Sequence, residues 1–348
     1  MKTGARVAII LAGAVAKGAF EAGALSVLVE RNVRIVRIVG ASSGALNATL
    51  MASGICTGSA KDAAKKLVEL WQDRAGVTAV FDFSPRELLQ RRGISDQKRL
   101  LSLMRANIKP HRLPHPEPVG LRIVAADLNG VTRTLASQPA TTYERVFKFD
   151  ESDFAEQDRL DAVFRAAAAS SAFPLAFAPC DVMGGGGPCV DGGVVNNSPI
   201  KYALEDGGVD AVVVISPTTR KYEPEPSLRG IDLGGHIADM LINERLYRDL
   251  KEAEEVNEAL RKLEKLSLDA GSLRKVKEAL GWTKRKTIQV VTIRPARQLP
   301  GNSFEGFWRK GLREQYVELG REAAQEGLKG LWPAAVAAGA AASPPQPS

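Results

Sequence analysis

Three small-residue turns hold the chemistry this sequence can do. Gly40-Ala41-Ser42-Ser43-Gly44 follows the apolar run Ile35–Val39 and precedes a helical pattern that starts near Ala45. A G-x-S-x-G segment between a strand and a helix makes a turn too sharp for side chains at its flanks, hence the glycines at 40 and 44. The turn exposes the Ser42 hydroxyl and aims the Ser43 N–H, with the positive end of the helix, at any anion forming beside it. Asp191-Gly192-Gly193 follows a short apolar stretch and precedes Asn196-Asn197-Ser198-Pro199. Its glycines let the backbone pass close to another loop with the carboxylate facing it. A carboxylate titrates near about 4 in water and becomes a usable base once partly desolvated and within hydrogen-bond reach. Gly13-Ala14-Val15-Ala16-Lys17-Gly18 follows the first apolar run and opens a helix, so its N–H groups can hold an oxyanion or a phosphate. It fits neither G-x-G-x-x-G nor G-x-x-x-x-G-K-[ST], which argues against dinucleotide and P-loop sites.

Other polar chemistry is scarce. There are three histidines, His111, His115 and His236, and three cysteines, Cys56, Cys180 and Cys189. That excludes zinc clusters, iron–sulfur ligation and a disulfide framework. No metal or other cofactor is expected. His111 and His115 lie in a proline-rich loop, and Pro114 argues against a helix that would put both on one face. His236 follows two glycines and receives no role. A Ser-His-Asp hydrolase would have to recruit one of these three. Cys180 and Cys189 flank the Gly184–Gly187 turn, and a hairpin there would bring two reduced thiols near each other. Cys56 is assigned to the core, and Asp127 and Asp210 to turn roles at strand ends.

These turns need a scaffold. Val7–Leu11, Ile35–Val39, Leu121–Ala125, Ala211–Ile215 and Ile288–Ile293 are short Val/Ile-rich runs near helical patterns, the signature of buried parallel strands in an α/β protein. Lys17–Val29 continues the first strand and loop as an amphipathic helix. Residues 57–118 carry helical patterns at Ala60–Gln72 and Gln97–Ile108 without a sheet signature and form an inserted helical cover. Residues 222–285 form a second helical excursion, in which Leu246, Leu250, Ala253, Val256, Leu260 and Leu263 recur at helical spacing. That stripe rests on the body of the protein or, alternatively, serves as a lid or a membrane-lying helix. A last helix spans about Phe307–Leu331, before an Ala/Pro/Ser-rich tail over 334–348 that cannot form a core. The organisation expected is one domain over 1–333 with both insertions, a three-layer α/β/α sandwich around a mostly parallel sheet.

The chain of 348 residues carries 47 basic and 40 acidic side chains, a net +7 that suits an anionic surface. Aromatics at 6% and the absence of dense basic runs argue against nucleic acid. No apolar stretch reaches the length of a membrane span. Lys2 and Arg6 before Val7–Ala16 imitate a signal peptide, but the helical pattern that follows favours strand, loop and helix. The expected location is cytoplasmic, with peripheral membrane association, and secretion stays open.

The three motifs in this order resemble the patatin-like phospholipases, which pair a G-G-G-x-[KR]-G loop, a G-x-S-x-G elbow and a D-G-[GA] aspartate. Ala169-Ser170-Ser171-Ala172-Phe173-Pro174 with Phe177-Ala178-Pro179 is similar to the family's A-S-x-A-x-P…F-x-P run, and Asn197-Ser198-Pro199 to its N-x-P segment. The likeness covers about residues 7–217. It implies a Ser–Asp dyad hydrolysing lipid acyl esters, with Ser42 as nucleophile and Asp191 as base. The implied oxyanion donors are the N–H groups of Gly13, Ala14, Val15 and Ser43, supported by Lys17, Gly18, Gly40, Gly44, Gly192 and Gly193. The sequence departs from the family where Gly13-Ala14-Val15 aligns with three glycines. If those positions need positive φ, Ala14 is strained and Val15 more so. Reduced activity, an acyltransferase using the same dyad, and a lipid- or partner-binding protein without catalysis are the alternatives this leaves.

Overall fold

The computed structural model describes residues 4–329, apart from 84, 86–88, 90–92, 112–117, 136, 175, 183–186, 198, 221–230, 267–268, 281 and 283–285. His115 and the 334–348 tail lie outside the described residues. The strands are β1 (Arg6–Ala12), β2 (Arg34–Ala41), β3 (Asp82–Phe83), β4 (Ser95–Asp96), β5 (Gly120–Leu135), β6 (Gln138–Phe149), β7 (Cys189–Val190), β8 (Ala211–Ile215) and β9 (Gln289–Ile293). The longer helices are α1 (Gly18–Glu30), α2 (Ser43–Cys56), α3 (Ala60–Glu69), α4 (Lys98–Asn107), α5 (Gln157–Ser170), α6 (Ile231–Lys265), α7 (Ala270–Ala279) and α8 (Lys310–Gly327).

The main sheet runs in the order β6-β5-β2-β1-β8-β9, with β7 also paired to β5. β5, β2, β1, β8 and β9 are mutually parallel, while β6 and β7 join antiparallel. All five expected strands form. β6 and the small β3–β4 pair are additions to the sequence reading, and the pair lies between the two helices of a cover expected to hold no strand.

Alternation along β1 sorts its side chains into two cores, because successive residues of a strand face opposite ways. Val7, Ile9 and Leu11 join a core built with α1, α2, α3, α5 and α8. Ala8 and Ile10 join a second core with Val212 and Val214 of β8 and Leu246 of α6. Helices therefore cover both faces of the sheet, and the expected α/β/α layering is observed.

Helix α1 departs from its expected amphipathic character. Every residue from Gly18 to Val29 is buried, because α8 covers the side of α1 turned away from the sheet. The two helices touch at backbone distance: a Cβ on Gly23 would lie 1.9 Å from the Val317 carbonyl oxygen, and one on Gly320 2.0 Å from that of Phe20. On the opposite face, Leu246 and Leu260 are fully buried and Leu250 and Ala253 pack against the second core. The α6 stripe thus rests on the body of the protein. Leu246→Ala should cost about 2–4 kcal/mol in chemical denaturation, as expected for a buried leucine that leaves a cavity. A loss under about 1 kcal/mol would show that α6 does not pack there.

Candidate active site

The parallel register of β1 and β2 brings their carboxyl ends together, with Leu11 opposite Gly40 and Ala12 opposite Ala41. Ser42 is the single residue between the end of β2 and the start of α2. It holds φ +53° and ψ −134°, a conformation that side chains rarely adopt. Its flanks are too tight for a Cβ: one on Gly40 would stand 2.6 Å from the Gly44 carbonyl oxygen, and one on Gly44 2.3 Å from that of Leu11. Ser170, at the last turn of α5, holds the strained residue in place. Its hydroxyl accepts from the Ser42 N–H at 3.0 Å and donates to the Val124 carbonyl at 2.5 Å.

Asp191 follows β7, which pairs with β5 at Ala126 and Asp127. This pairing carries the aspartate to the elbow, where Ser42 Oγ donates to Asp191 Oδ2 at 2.7 Å. The other carboxylate oxygen accepts from the Gly193 N–H at 2.7 Å. Gly192 packs against the Val124 carbonyl. Burial pushes the Asp191 carboxyl up to about 7, against the opposing pull of the Ser42 and Gly193 hydrogen bonds.

The loop after β1 commits most of its donors to neighbouring segments. Gly13 N–H donates to the Ala41 carbonyl at 3.2 Å, Ala14 N–H to Ser43 Oγ at 3.1 Å, and Ala16 N–H to the Ser303 carbonyl at 3.0 Å. Of the three residues of this loop expected to supply oxyanion donors, only Val15 has no hydrogen bond on its N–H among the described residues. The Ser43 N–H, opening α2, has no helical carbonyl behind it. The strain expected of this loop falls on Val15, at φ +53°, while Ala14 stays at φ −148°. Asn197 Nδ2 anchors the loop by donating to the Gly13 carbonyl at 3.0 Å. Lys17 is buried, and Gly18 sits against Ser43 and Trp71, where a Cβ would be 2.7 Å from either side chain.

Ser42, Asp191 and Val15 line a cavity of about 110 Å³ whose other walls are almost entirely apolar. The inserted cover supplies Leu67, Trp71, Leu103 and Met104, α2 supplies Leu46 and Leu50, and Phe177 and Phe307 come from later loops and turns. The cover between α2 and β5 is therefore part of the site.

A polar strut beneath this cavity was not foreseen. Trp71 Nε1 donates to Asn47 Oδ1 at 2.7 Å, and Asn47 Nδ2 donates to the Gly18 carbonyl at 3.0 Å and to Glu21 Oε2 at 2.8 Å. Trp71 lies in a π-turn, with the Ala75 N–H reaching back to the Leu70 carbonyl at 2.8 Å. The buried Arg313 clamps that turn through the Trp71 and Gln72 carbonyls at 2.7 and 3.1 Å. Burial pushes the Glu21 carboxyl up to about 8, only partly offset by Asn47. The signal was available as strongly polar residues inside helices of mostly small apolar ones, Glu21 in Gly18–Leu25 and Asn47, with only Thr49 beside it, in Ala45–Ala52.

His111 stands apart from this arrangement: it stacks on Phe154 at 6.3 Å and does not line the cavity. Cys180 and Cys189 face each other across an antiparallel bridge with N–H···O bonds of 2.8 and 2.9 Å, as unpaired thiols. Asp127 is buried in an ion pair with Arg145 at 3.0 Å, in addition to its turn bond to Asn129. No cluster of metal-ligating side chains occurs among the described residues.

The family profile of the patatin-like phospholipases matches residues 9–204, more than half of the chain. The chain belongs to the patatin-like phospholipase family. Among solved structures, VipD from Legionella pneumophila aligns over 93% of this chain and 67% of its own at 14% identity and a TM-score of 0.44. The heterodimeric ExoU–SpcU complex from the type III secretion system of Pseudomonas aeruginosa aligns over 79% and 59% at 16% identity and a TM-score of 0.27. No curated protein sequence matches.

The buried Glu21 gives a stability test. A folded-state carboxyl at about 8 holds its proton more tightly than an unfolded glutamate near about 4.3, so its contribution is complete at low pH and is lost as pH rises through about 8. Glu21→Gln should flatten the fall in Tm between about pH 6 and pH 9 by several degrees. Parallel Tm curves for both proteins would contradict the buried neutral acid.

Proposed function

We propose that this patatin-like protein hydrolyses lipid acyl esters through Ser42 and Asp191. The 2.7 Å hydrogen bond from Ser42 Oγ to Asp191 Oδ2, at the wall of an apolar cavity, carries this reading. Asp191 takes the hydroxyl proton as Ser42 Oγ attacks the ester carbonyl carbon. The carbonyl oxygen becomes an oxyanion, held by the N–H groups of Val15 and Ser43 at the positive end of α2. Collapse of this intermediate expels the alcohol, which takes the proton from Asp191, and leaves an acyl-serine. Water, deprotonated by Asp191, then attacks the acyl carbon and releases the fatty acid while Ser42 regains its proton.

The surroundings fit each role. An aspartate with its carboxyl near 7 is a far better proton acceptor than one near 4, which removes the need for a histidine. The leucines, phenylalanines and Trp71 of the cavity suit a hydrocarbon chain, each buried methylene of which contributes about 0.8 kcal/mol. The strut from Glu21 through Asn47 to Trp71 keeps that wall and the Gly18 end of the oxyanion loop in register. Peripheral contact with a membrane is part of the proposal, since a phospholipid substrate resides there.

Ser42→Ala should lower kcat/KM on a short p-nitrophenyl ester by at least about a thousandfold, and Asp191→Asn by a comparable factor. Because only ionised Asp191 accepts the proton, kcat/KM of the wild-type enzyme should fall about tenfold per pH unit below about 7 and level off above it. Undiminished turnover in either variant, or a histidine variant that abolishes activity, would overturn the dyad.

A further inference from the structure

Exposed apolar side chains border the aromatic cluster that walls the cavity. Phe83 is 65% exposed, Trp308 62% and Ile94 46%. All three border one cluster of buried rings. The Phe83 ring stacks on Phe81 at 6.3 Å, and Phe81 meets Phe177 at 4.9 Å and Phe307 at 5.3 Å. Trp308 follows Phe307 in the chain. Ile94 lies between Gly93, which abuts the Phe177 backbone, and Ser95, which pairs with Phe83 and bridges to Phe177. Phe177 and Phe307 are themselves walls of the Ser42 cavity, whereas Phe83, Ile94 and Trp308 are not. The exposed side chains and the cavity are thus two sides of one aromatic cluster.

We infer that Phe83, Ile94 and Trp308 insert into the interfacial region of a lipid bilayer and seat the mouth of the cavity on it. The inference rests on the lipid-hydrolase reading above and names the surface that meets the substrate. Continuity with an apolar cavity is the reason to choose a bilayer: a lipid reaches Phe177 and Phe307 without its chains crossing water. Tryptophan and phenylalanine are the residues that gain most at such an interface.

The charges around the patch fix the kind of attraction. Lys98 pairs with Asp96 at 2.7 Å, Arg99 with Asp82 at 3.2 Å, Arg309 with Glu305 at 3.3 Å and Lys310 with Asp73 at 2.6 Å. Among the described residues these four basic side chains each face a carboxylate. The proposed docking is driven by apolar insertion, takes place on zwitterionic lipid, and resists salt that would screen an electrostatic contact.

The test is co-sedimentation with phosphatidylcholine vesicles at about 0.1 M and about 0.5 M salt. The full-length wild-type protein and Ser42→Ala should bind equally at both. Phe83→Ser/Trp308→Ala should bind at least tenfold more weakly while cleaving a water-soluble short-chain ester at the wild-type rate. Trp308 fluorescence, read as the difference between wild type and Trp308→Phe, should shift to the blue with vesicles. Equal binding by the double variant, binding that disappears at the higher salt, or no binding by the wild type would overturn the docking surface. So would a wild-type dimer in light scattering that the double variant dissolves, because it would assign the patch to a second copy. Vesicle binding by Ser42→Ala separates this result from any failure of the dyad.

Discussion

The site depends on one strained residue. Ser42 occupies a left-handed conformation that costs about 1–3 kcal/mol for a residue with a side chain, and the surroundings leave it no other. Gly40 and Gly44 let β1, β2 and α2 close on the turn, and Ser170 fixes the Ser42 N–H. In return the Ser42 hydroxyl points away from both strand and helix, the one direction from which a second loop can reach it. The parallel sheet supplies the rigid edge, and α2 begins at the next residue with its unpaired N–H groups facing the same point.

The reach of Asp191 follows from the antiparallel additions to that sheet. β7 pairs with the same strand, β5, whose Val124 carbonyl receives the Ser170 hydroxyl. Ser42, its backbone anchor Ser170 and Asp191 therefore all refer to a single strand. The cover sets something else, the shape of the apolar wall. Its π-turn at Trp71 is held from below by Asn47 and from behind by Arg313, so a helix of irregular hydrogen bonding still presents a fixed surface.

The parts of the fold that could be read from sequence are those with strong local signatures. Val7–Leu11 and Ala211–Ile215 are continuous apolar runs and became central strands; the G-x-S-x-G and D-G-G turns carry their geometry in their glycines. β6 escaped notice because Gln138–Phe149 is half exposed and mixes threonine, glutamate and lysine with its apolar residues, so its alternation is weak. The helical character of α1 was clear, but its complete burial depends on α8, nearly three hundred residues away. In sequence, the missing glycines of the oxyanion loop point to backbone strain at Ala14 and Val15. What commits the Gly13 and Ala14 N–H groups is hydrogen bonding to Ala41 and Ser43, partners that only the folded elbow brings close. Val15 takes the positive φ that a glycine would hold at no cost and keeps its N–H unengaged.

The central claim is that Asp191, and no histidine, activates Ser42. Labelling by a fluorophosphonate probe tests it without requiring the natural lipid. Mass spectrometry should place the label on Ser42, at a rate that rises with pH through about 7 in the wild-type protein and collapses in Asp191→Asn. Labelling of Asp191→Asn at the wild-type rate, or a label on another residue, would contradict the account.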